Sequence, residues 1–318
     1  MNKFMLPTLL ALALTLSACA KMVGPYYLEQ EKYAKGIEVL EQNLREHPDD
    51  AESAYYIGRF HLALKEAKQA LPYLEQAQRL APDNADYRFW TGVAHWALLD
   101  FDAERAAYLE TLRIDPDHIP ANLYLGHGYL DQGQWAKALV QYDTVIKLDK
   151  HNPEALYNRA AALGQLEKTK MERAAWKTFL EAYPDGSLAL AATERLNLLG
   201  DFTYRNFIIG KRNVTLRAMA FKPGTARLLP DSKESLHVLA AMMTNNPSLR
   251  IHVVAYVQGN RTLAEQRARS VRSYMLSGHP EFDPERLPLS WFDSAEIVRT
   301  GGRALPLNES VQFITATR

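Results

Sequence analysis

Apolar and polar positions recur every 34 residues between residues 25 and 199. Four of the five repeats end in a proline, at Pro48, Pro82, Pro116 and Pro184. In the remaining repeat Lys150 takes that place. A small residue stands 24 positions before each end, at Gly24, Gly58, Gly92, Gly126 and Ala160. Proline ends a helix because it lacks the N–H that the next turn needs, and a small residue lets a second helix pack closely. The pattern predicts stacked helix pairs that share one core, with a closing helix over 187–199.

A period of 34 residues resembles the tetratricopeptide (TPR) family, whose unit is two antiparallel helices. The family's small residue late in the unit is present as Gly36, Ala70 and Ala138, and the sequence departs from it at Glu104 and Glu172. The resemblance implies an all-α superhelix of about four and a half helix hairpins over residues 25–199.

The TPR resemblance also implies a groove that binds a protein or peptide, built mainly from the first helix of each hairpin. The corresponding positions are Tyr55, Arg59, Leu62, Phe89, Val93, Trp96, Leu123, His127, Leu130 and Tyr157. Aromatic side chains with one or two polar groups suit an extended or helical peptide. The alternative is that Phe89, Leu123 and Tyr157 pack between hairpins.

After Gly200 the period changes, and strands are predicted between helices. The elements are a strand over 206–220, a turn-rich link over 221–230, a helix from Asp231 with Glu234 in a capping box, a strand over 249–257, a helix opened by a Thr262–Glu265 capping box, and short strands over 287–292 and 310–314. This order predicts an α+β domain over 200–318, with helices packed on a small mixed sheet.

Three segments of this half resemble the OmpA-like domain, which binds peptidoglycan: Phe221–Leu229, Pro247–Val253 and Leu263–Val271. In that family an Asp at the end of the second strand and a helix Arg hold the two charges of the wall peptide. Here Arg267 is retained, but Gln258 stands in place of the Asp, and the family's Asn-Arg-Arg motif reads Asn308-Glu309-Ser310. Arg267 and Gln258 are therefore candidate peptidoglycan ligands, and the alternative is that Arg267 pairs with a neighbouring carboxylate.

The N-terminus has Lys3, an apolar run over 4–16, and then Leu16-Ser17-Ala18-Cys19. The run is too short to span a bilayer and is typical of a secretory signal. The last four residues resemble the lipobox of bacterial lipoproteins, which implies a signal over 1–18, acylation of Cys19 and a lipidated linker over 19–24. Ala20, rather than Asp, favours the outer membrane. The alternative is an ordinary signal with an incidental Cys19.

Charge divides the chain at the same point as the sequence pattern. Residues 19–200 hold 20 Lys and Arg against 27 Asp and Glu, whereas residues 201–318 hold 16 against 10. A basic C-terminal half suits anionic partners such as cell-wall polymer or lipid headgroups. No nucleophile, phosphate-binding, metal or nucleic-acid motif stands out, and Cys19 is the only cysteine, so neither an enzyme, a cofactor nor a nucleic-acid partner is expected.

These features predict a non-enzymatic outer-membrane lipoprotein that faces the periplasm and serves as a scaffold for an envelope machine, such as a pilus, a secretion system or outer-membrane assembly. The alternative function is a structural tether, in which the OmpA-like domain binds peptidoglycan and the repeats only span distance.

Overall fold

The computed structural model describes residues 22–315, so Cys19 and the predicted signal lie outside the described residues. Contacts between Cα atoms divide the described residues into two compact units, with the division between Ala155 and Leu156. Each unit has its own arrangement of helices or strands.

The first unit is a succession of helices joined by short turns, as the repeat predicts. The helices are α1 (22–29), α2 (Tyr33–Glu46), α3 (Ala51–Ala63), α4 (Ala67–Leu80), α5 (Ala85–Ala97), α6 (Phe101–Ile114), α7 (Ile119–Asp131) and α8 (Trp135–Leu148), and the first residues of α9 (Pro153–Gln165) follow. Because successive helices are linked by only a few residues, each is antiparallel to its neighbour in the hairpins α3–α4, α5–α6 and α7–α8.

The repeating glycines allow the two helices of a hairpin to approach closely. A Cβ on Gly92 in α5 would lie 2.5 Å from Cε1 of Tyr108 in α6, and one on Gly126 in α7 would lie 2.8 Å from Cε1 of Tyr142 in α8. Both tyrosines are fully buried. The glycine is therefore required by the large aromatic ring that packs on it, which confirms the role predicted for the small residue.

A helix cap recurs with the same 34-residue period. The side chain before each first helix accepts a hydrogen bond of 3.0–3.3 Å from the backbone N–H three residues later, and the capping residues are Asp50, Asn84, His118 and Asn152. Such caps satisfy donors that the helix cannot and stabilise it by about 1 kcal/mol each. The prolines end the previous repeat, and these caps begin the next one.

The two departures from the small-residue pattern are buried. Ala70 and Ala138 have no exposed surface, and Glu104 and Glu172, at the equivalent place, are 7% and 2% exposed. Burial raises the pKa of Glu104. A carboxyl group at this place is costly unless it is paired, and Glu172 is paired with Arg195.

The second unit contains the end of the helical array and a domain of strands and helices. Its elements are α9, α10 (Thr169–Ala182), α11 (Ser187–Leu198), β1 (Tyr204–Ile209), β2 (Arg212–Arg217), α12 (Lys233–Asn245), β3 (Ile251–Val257), α13 (Arg261–Gly278), β4 (Leu289–Phe292), β5 (Glu296–Thr300), β6 (Arg303–Leu307) and β7 (Glu309–Thr315). Strand β3 is central in a mixed sheet, parallel to β4 and antiparallel to β7. The helical array followed by an α+β domain confirms the predicted fold class.

The core of this domain lies between its two long helices and β3. Alternate residues of β3 point inward, and α13 contributes a stripe at helical spacing: Ala264, Ala268, Val271 and Met275, all buried. Leu236, Leu239, Ala240 and Met243 do the same on α12. The apolar stripes that the sequence predicts for α12 and α13 are therefore the faces that pack in this core.

Both predicted capping boxes are wrong. The residue before α12 is Ser232, whose hydroxyl hydrogen bonds to the backbone of Ala220 instead of to the helix. Helix α13 begins at Arg261, earlier than expected, with the side chain of Asn260 accepting from the N–H of Leu263 at 3.0 Å. At α12 a tertiary backbone partner takes the hydroxyl, and at α13 a different local side chain, two residues earlier than predicted, makes the cap.

The predicted strand over 206–220 is in fact a hairpin. Gly210 has a φ of +64°, which turns the chain so that β1 and β2 pair, with Tyr204 opposite Arg217. A second hairpin, β5–β6, also turns on glycines with positive φ, Gly301 and Gly302, and was not predicted.

Helix α11 closes the helical array and belongs to the second unit because it packs against the first strands. The side-chain amide of Asn197 donates to the carbonyl of Tyr204 at 2.8 Å, and that of Asn206 donates to the carbonyl of Leu190 at 2.9 Å. The sequence pattern changes at Gly200, whereas the compact unit begins earlier, at Leu156.

Candidate functional site

The predicted groove residues of α3 form a cluster around one arginine. The guanidinium of Arg59 lies 4.0 Å from the ring centre of Trp90 and 5.5 Å from that of Tyr55, and its Nη1 donates to the Tyr55 hydroxyl at 3.1 Å. Tyr55 is 8% exposed, and burial raises its pKa to about 12. The tyrosine therefore stays neutral, and the stacked arginine supplies a fixed positive charge.

Phe89 and Leu123 lie in the core of the first unit, with 4% and 8% of their surfaces exposed. The ring of Phe89 is 5.5 Å from that of Tyr108. These two side chains pack between helices, as their alternative interpretation expects. Trp96 differs, because 53% of its surface is exposed.

His127 lies beside aromatic rings and a carboxylate. Its ring centre is 5.9 Å from that of Tyr124, and its Nε2 is 3.7 Å from Oε2 of Glu154. Burial lowers the pKa of His127, and the Glu154 charge opposes that effect only in part. The imidazole is therefore neutral at pH 7 and can both donate and accept a hydrogen bond.

A row of aromatic residues stands one position after the predicted ones. Tyr56, Trp90 and Tyr124, here called the aromatic row, occupy the same place in α3, α5 and α7. Phe89 connects two of them, with ring centres 5.5 Å from Trp90 and 5.7 Å from Tyr124, and Tyr124 is 40% exposed. Their spacing of 34 residues was the signal that could have identified them from the sequence.

Tyr157, in the second unit, lies at a pocket of about 270 Å³ above a buried ion pair. Oε1 of Glu172 accepts from Nε of Arg195 at 2.6 Å and from Nε1 of Trp176 at 3.2 Å. The ring centre of Tyr157 is 5.0 Å from that of Trp176. Gly164 leaves room for the carboxylate, because a Cβ there would lie 2.6 Å from Oε1 of Glu172.

Arg267 is fully engaged inside the second unit. It is 3% exposed, and its Nη1 donates to Oε2 of Glu309 at 2.8 Å while its Nε donates to the carbonyl of Thr225 at 3.1 Å. The ring of Phe221 lies 4.7 Å from the guanidinium carbon. Glu309, which pairs with Arg267, stands where the OmpA motif has an arginine.

The structure brings Gln258 to the same end of the sheet. The backbone N–H of Gln258 donates to the carbonyl of Asn308 at 2.7 Å, next to Glu309. Its side chain is exposed. The residues around Arg267 therefore provide one neutralised cation and one neutral amide, where the OmpA motif provides an unpaired arginine and an aspartate.

Two general features of residues 22–315 bear on chemistry. No cluster of three or more His, Asp or Glu side chains within that range could hold a metal ion. No helix in that range is both long and apolar enough to cross a membrane.

Repeated helix pairs followed by an α+β domain define the class of helical-repeat proteins with a C-terminal globular domain. The chain is a tetratricopeptide-repeat protein with an OmpA-family domain. Models of TPR families match residues 27–89, 66–119 and 126–166, and the OmpA family model matches residues 220–302. Both families are typically non-catalytic, and OmpA domains are associated with the cell envelope. A comparison with curated proteins finds no match.

Solved structures resemble the helical array. The pilF protein of Pseudomonas aeruginosa is 17% identical, with 58% of this chain and 85% of that chain covered at a TM-score of 0.53. YrrB, a TPR protein with an unusual peptide-binding site, is 18% identical, with 54% and 88% covered at a TM-score of 0.47. The TPR protein TTC0263 of Thermus thermophilus is 19% identical, with 57% and 97% covered at 0.43. At these identities the likeness concerns the fold alone.

Proposed function

We propose that the protein is a non-enzymatic scaffold whose TPR array binds a protein partner in the cell envelope. The observation that carries the proposal is the aromatic row, which continues through three first helices and has Arg59 stacked on its middle member, Trp90. Aromatic and arginine side chains dominate the binding energy of protein interfaces. Trp96, on the same helix as Trp90, adds a second large aromatic side chain that is accessible to a partner, with 53% of its surface exposed.

The proposed location is the periplasmic face of the outer membrane, with acylated Cys19 as the anchor. Support comes from the lipobox-like sequence at 16–19 and from the envelope association of OmpA domains. Several acyl chains on one residue would hold the protein at the membrane almost irreversibly, at about 0.8 kcal/mol for each buried methylene.

The anchor is tested by Cys19→Ala in cells supplied with labelled palmitate. The wild type should take up the label and fractionate with the outer membrane, whereas the variant should take up none and leave the membrane fraction. Label on the variant, or a wild type found in the soluble periplasm, would contradict the proposed location.

The groove is tested by site-specific photo-crosslinking in the native cell, with benzophenone-alanine at Trp96 in the full chain. The control places it at Val140 on α8, which is 59% exposed against 53% for Trp96. We expect one dominant adduct from position 96, none from position 140, and loss of the adduct when Tyr124→Ala is added. Equal adducts from both positions would rule out a specific groove. The adduct also identifies the machine, for which a pilus, a secretion system and outer-membrane assembly are the candidates.

The tether remains the rival function, because the OmpA family model covers residues 220–302. The pairing of Arg267 with Glu309 weighs against it, since a ligand carboxylate would have to displace Glu309. Sedimentation of the wild-type chain with peptidoglycan separates the two functions.

A further inference from the structure

A groove of about 980 Å³ lies at one end of the C-terminal domain, away from the Arg267 site. It is formed by the β1–β2 turn, the second half of α12 and the start of β3, and Thr315 of β7 borders it. Arg250 precedes β3 and Gln258 follows it, so the groove and the Arg267 site are separated by roughly 25 Å of extended strand. The groove is therefore a separate site.

The charges that line this groove have one sign. Lys211, Arg212 and Arg250 contribute three cations, and none of the described residues that line the groove is Asp or Glu. Arg250 donates through Nη2 to the carbonyl of Glu285 at 2.9 Å, but its buried Nε has no hydrogen-bond partner among the described residues. Three cations with no facing carboxylate among the described lining residues favour an anionic ligand.

Apolar side chains lie beside these cations. Val238 on α12 is 44% exposed and lines the groove with Met242 and Leu249. The side-chain amide of Asn245 can both donate to and accept from a peptide backbone, and Asn246 can donate through Nδ2 while its Oδ1 accepts from Ser248. The groove thus offers positive charge, apolar contact and amide hydrogen bonds within one concavity.

We propose that this groove binds an acidic peptide segment of a partner protein, one that alternates carboxylates with apolar side chains. The carboxylates would pair with Lys211 and Arg212, and the apolar residues would pack on Val238 and Met242. A concave surface with apolar side chains beside its cations fits a chain segment better than it fits the flat surface of an anionic membrane. The site is independent of the TPR surface proposed above, so either can fail without the other.

The test measures fluorescence anisotropy of short fluorescein-labelled peptides with the full chain. The probe alternates Glu and Leu; the comparison peptides alternate Lys with Leu, and Glu with Ser. We expect the Glu/Leu peptide to bind, the Glu/Ser peptide to bind more weakly, the Lys/Leu peptide not to bind, and raised salt to weaken binding.

The decisive variant is Lys211→Glu with Arg212→Glu, which should weaken binding of the Glu/Leu peptide by about tenfold or more. Its matched control, Lys222→Glu with Arg227→Glu, makes the same charge change at two exposed residues of the same domain outside the groove. Unchanged circular dichroism spectra establish that both variants fold. The proposal is overturned if the wild type does not bind the peptide, or if both double variants weaken binding equally.

A second arm uses vesicles of phosphatidylglycerol in place of the peptide. We expect no sedimentation of a soluble full chain carrying Cys19→Ala with these vesicles. The proposal would be overturned in favour of a lipid surface if this chain sediments with the vesicles, if Lys211→Glu with Arg212→Glu abolishes that sedimentation, and if the Glu/Leu peptide does not bind.

Discussion

Nη1 of Arg267 donates to Oε2 of Glu309 across 2.8 Å, and only 3% of the arginine is exposed. The OmpA resemblance implies that Arg267 binds a carboxylate of the wall peptide. Here the carboxylate of Glu309, in the same chain, already pairs with Arg267. A buried guanidinium needs such a partner, because an unpaired buried charge is costly. The pairing therefore neutralises Arg267 from within the chain, and Gln258 adds no second charge beside it.

The first prediction follows from this pairing and uses isolated peptidoglycan sacculi. The wild-type full chain and Arg267→Ala should remain in the supernatant to the same extent after centrifugation. Gln258→Asp combined with Glu309→Gln should increase the pelleted fraction, because it restores the acid and frees the arginine. If the wild type instead pellets with the sacculi and Arg267→Ala does not, the result would support the tether.

The second prediction compares two glycines of the same helix. Gly126→Ala should destabilise the first unit by about 1–3 kcal/mol, because the new Cβ would overlap the ring of Tyr142. Gly128→Ala, with nothing within 4 Å of its Cβ, should stabilise the helix by up to about 1 kcal/mol. Thermal denaturation followed by far-UV circular dichroism measures both. Equal effects of the two substitutions would be inconsistent with the close contact of α7 and α8.

The third prediction concerns the ion pair between the buried Glu172 and the half-exposed Arg195. Arg195→Ala should cost about 2 kcal/mol, because it leaves a 2% exposed carboxylate without its cation. Glu172→Ala should cost less, since it leaves a guanidinium that is 46% exposed and restores a small residue of the TPR pattern. Denaturant unfolding of both variants and of the double variant tests the asymmetry. A larger loss from Glu172→Ala would contradict it.

The fourth prediction is a pH dependence at Glu296 on β5. Burial alone would raise the pKa of this carboxyl, but hydrogen bonds and charge from Arg205, with further hydrogen bonds from Ser310 and Gln312, lower it overall. A depressed folded-state pKa means that the stabilisation is complete well above pH 4.5, the ordinary value, and is lost as the pH falls through the folded-state value.

Glu296→Gln should therefore destabilise β1, β5 and β7 by about 2 kcal/mol at pH 7, and the difference from the wild type should shrink below pH 4.5. Hydrogen–deuterium exchange of amides in these strands measures the local stability. A difference that stays constant down to pH 3 would show that the carboxylate charge does not contribute.

The helical array was predictable because its stability depends on contacts that repeat with the sequence. Gly92 and Gly126 have the same neighbour type at the same spacing, so period alone identified the close contacts. The capping residues and the aromatic row share that period, and both could have been found in the same way. Phe89 and Trp96 show the limit, because two positions of one predicted groove face are 4% and 53% exposed.

The C-terminal domain was predictable only where a helix or strand has a clear apolar stripe. The stripe of α13 identified its buried face, whereas the β5–β6 hairpin has few buried side chains and left no clear pattern. The capping box predicted at α12 failed because Ser232 finds a partner in Ala220, twelve residues away, which a local motif does not include. The one predicted at α13 failed because the helix begins earlier, with Asn260 as its cap.

The sequence by itself determined the repeat and the apolar stripes of α12 and α13, since each is a matter of which residue stands at which spacing, and the OmpA resemblance implied that Gln258 stands in place of an aspartate. Only the tertiary structure decided that Glu309 neutralises Arg267 and that Lys211, Arg212 and Arg250 line one groove. These pairs and groups are distant along the chain. They are brought together by strand pairing and helix packing, which act over distances that no local pattern encodes.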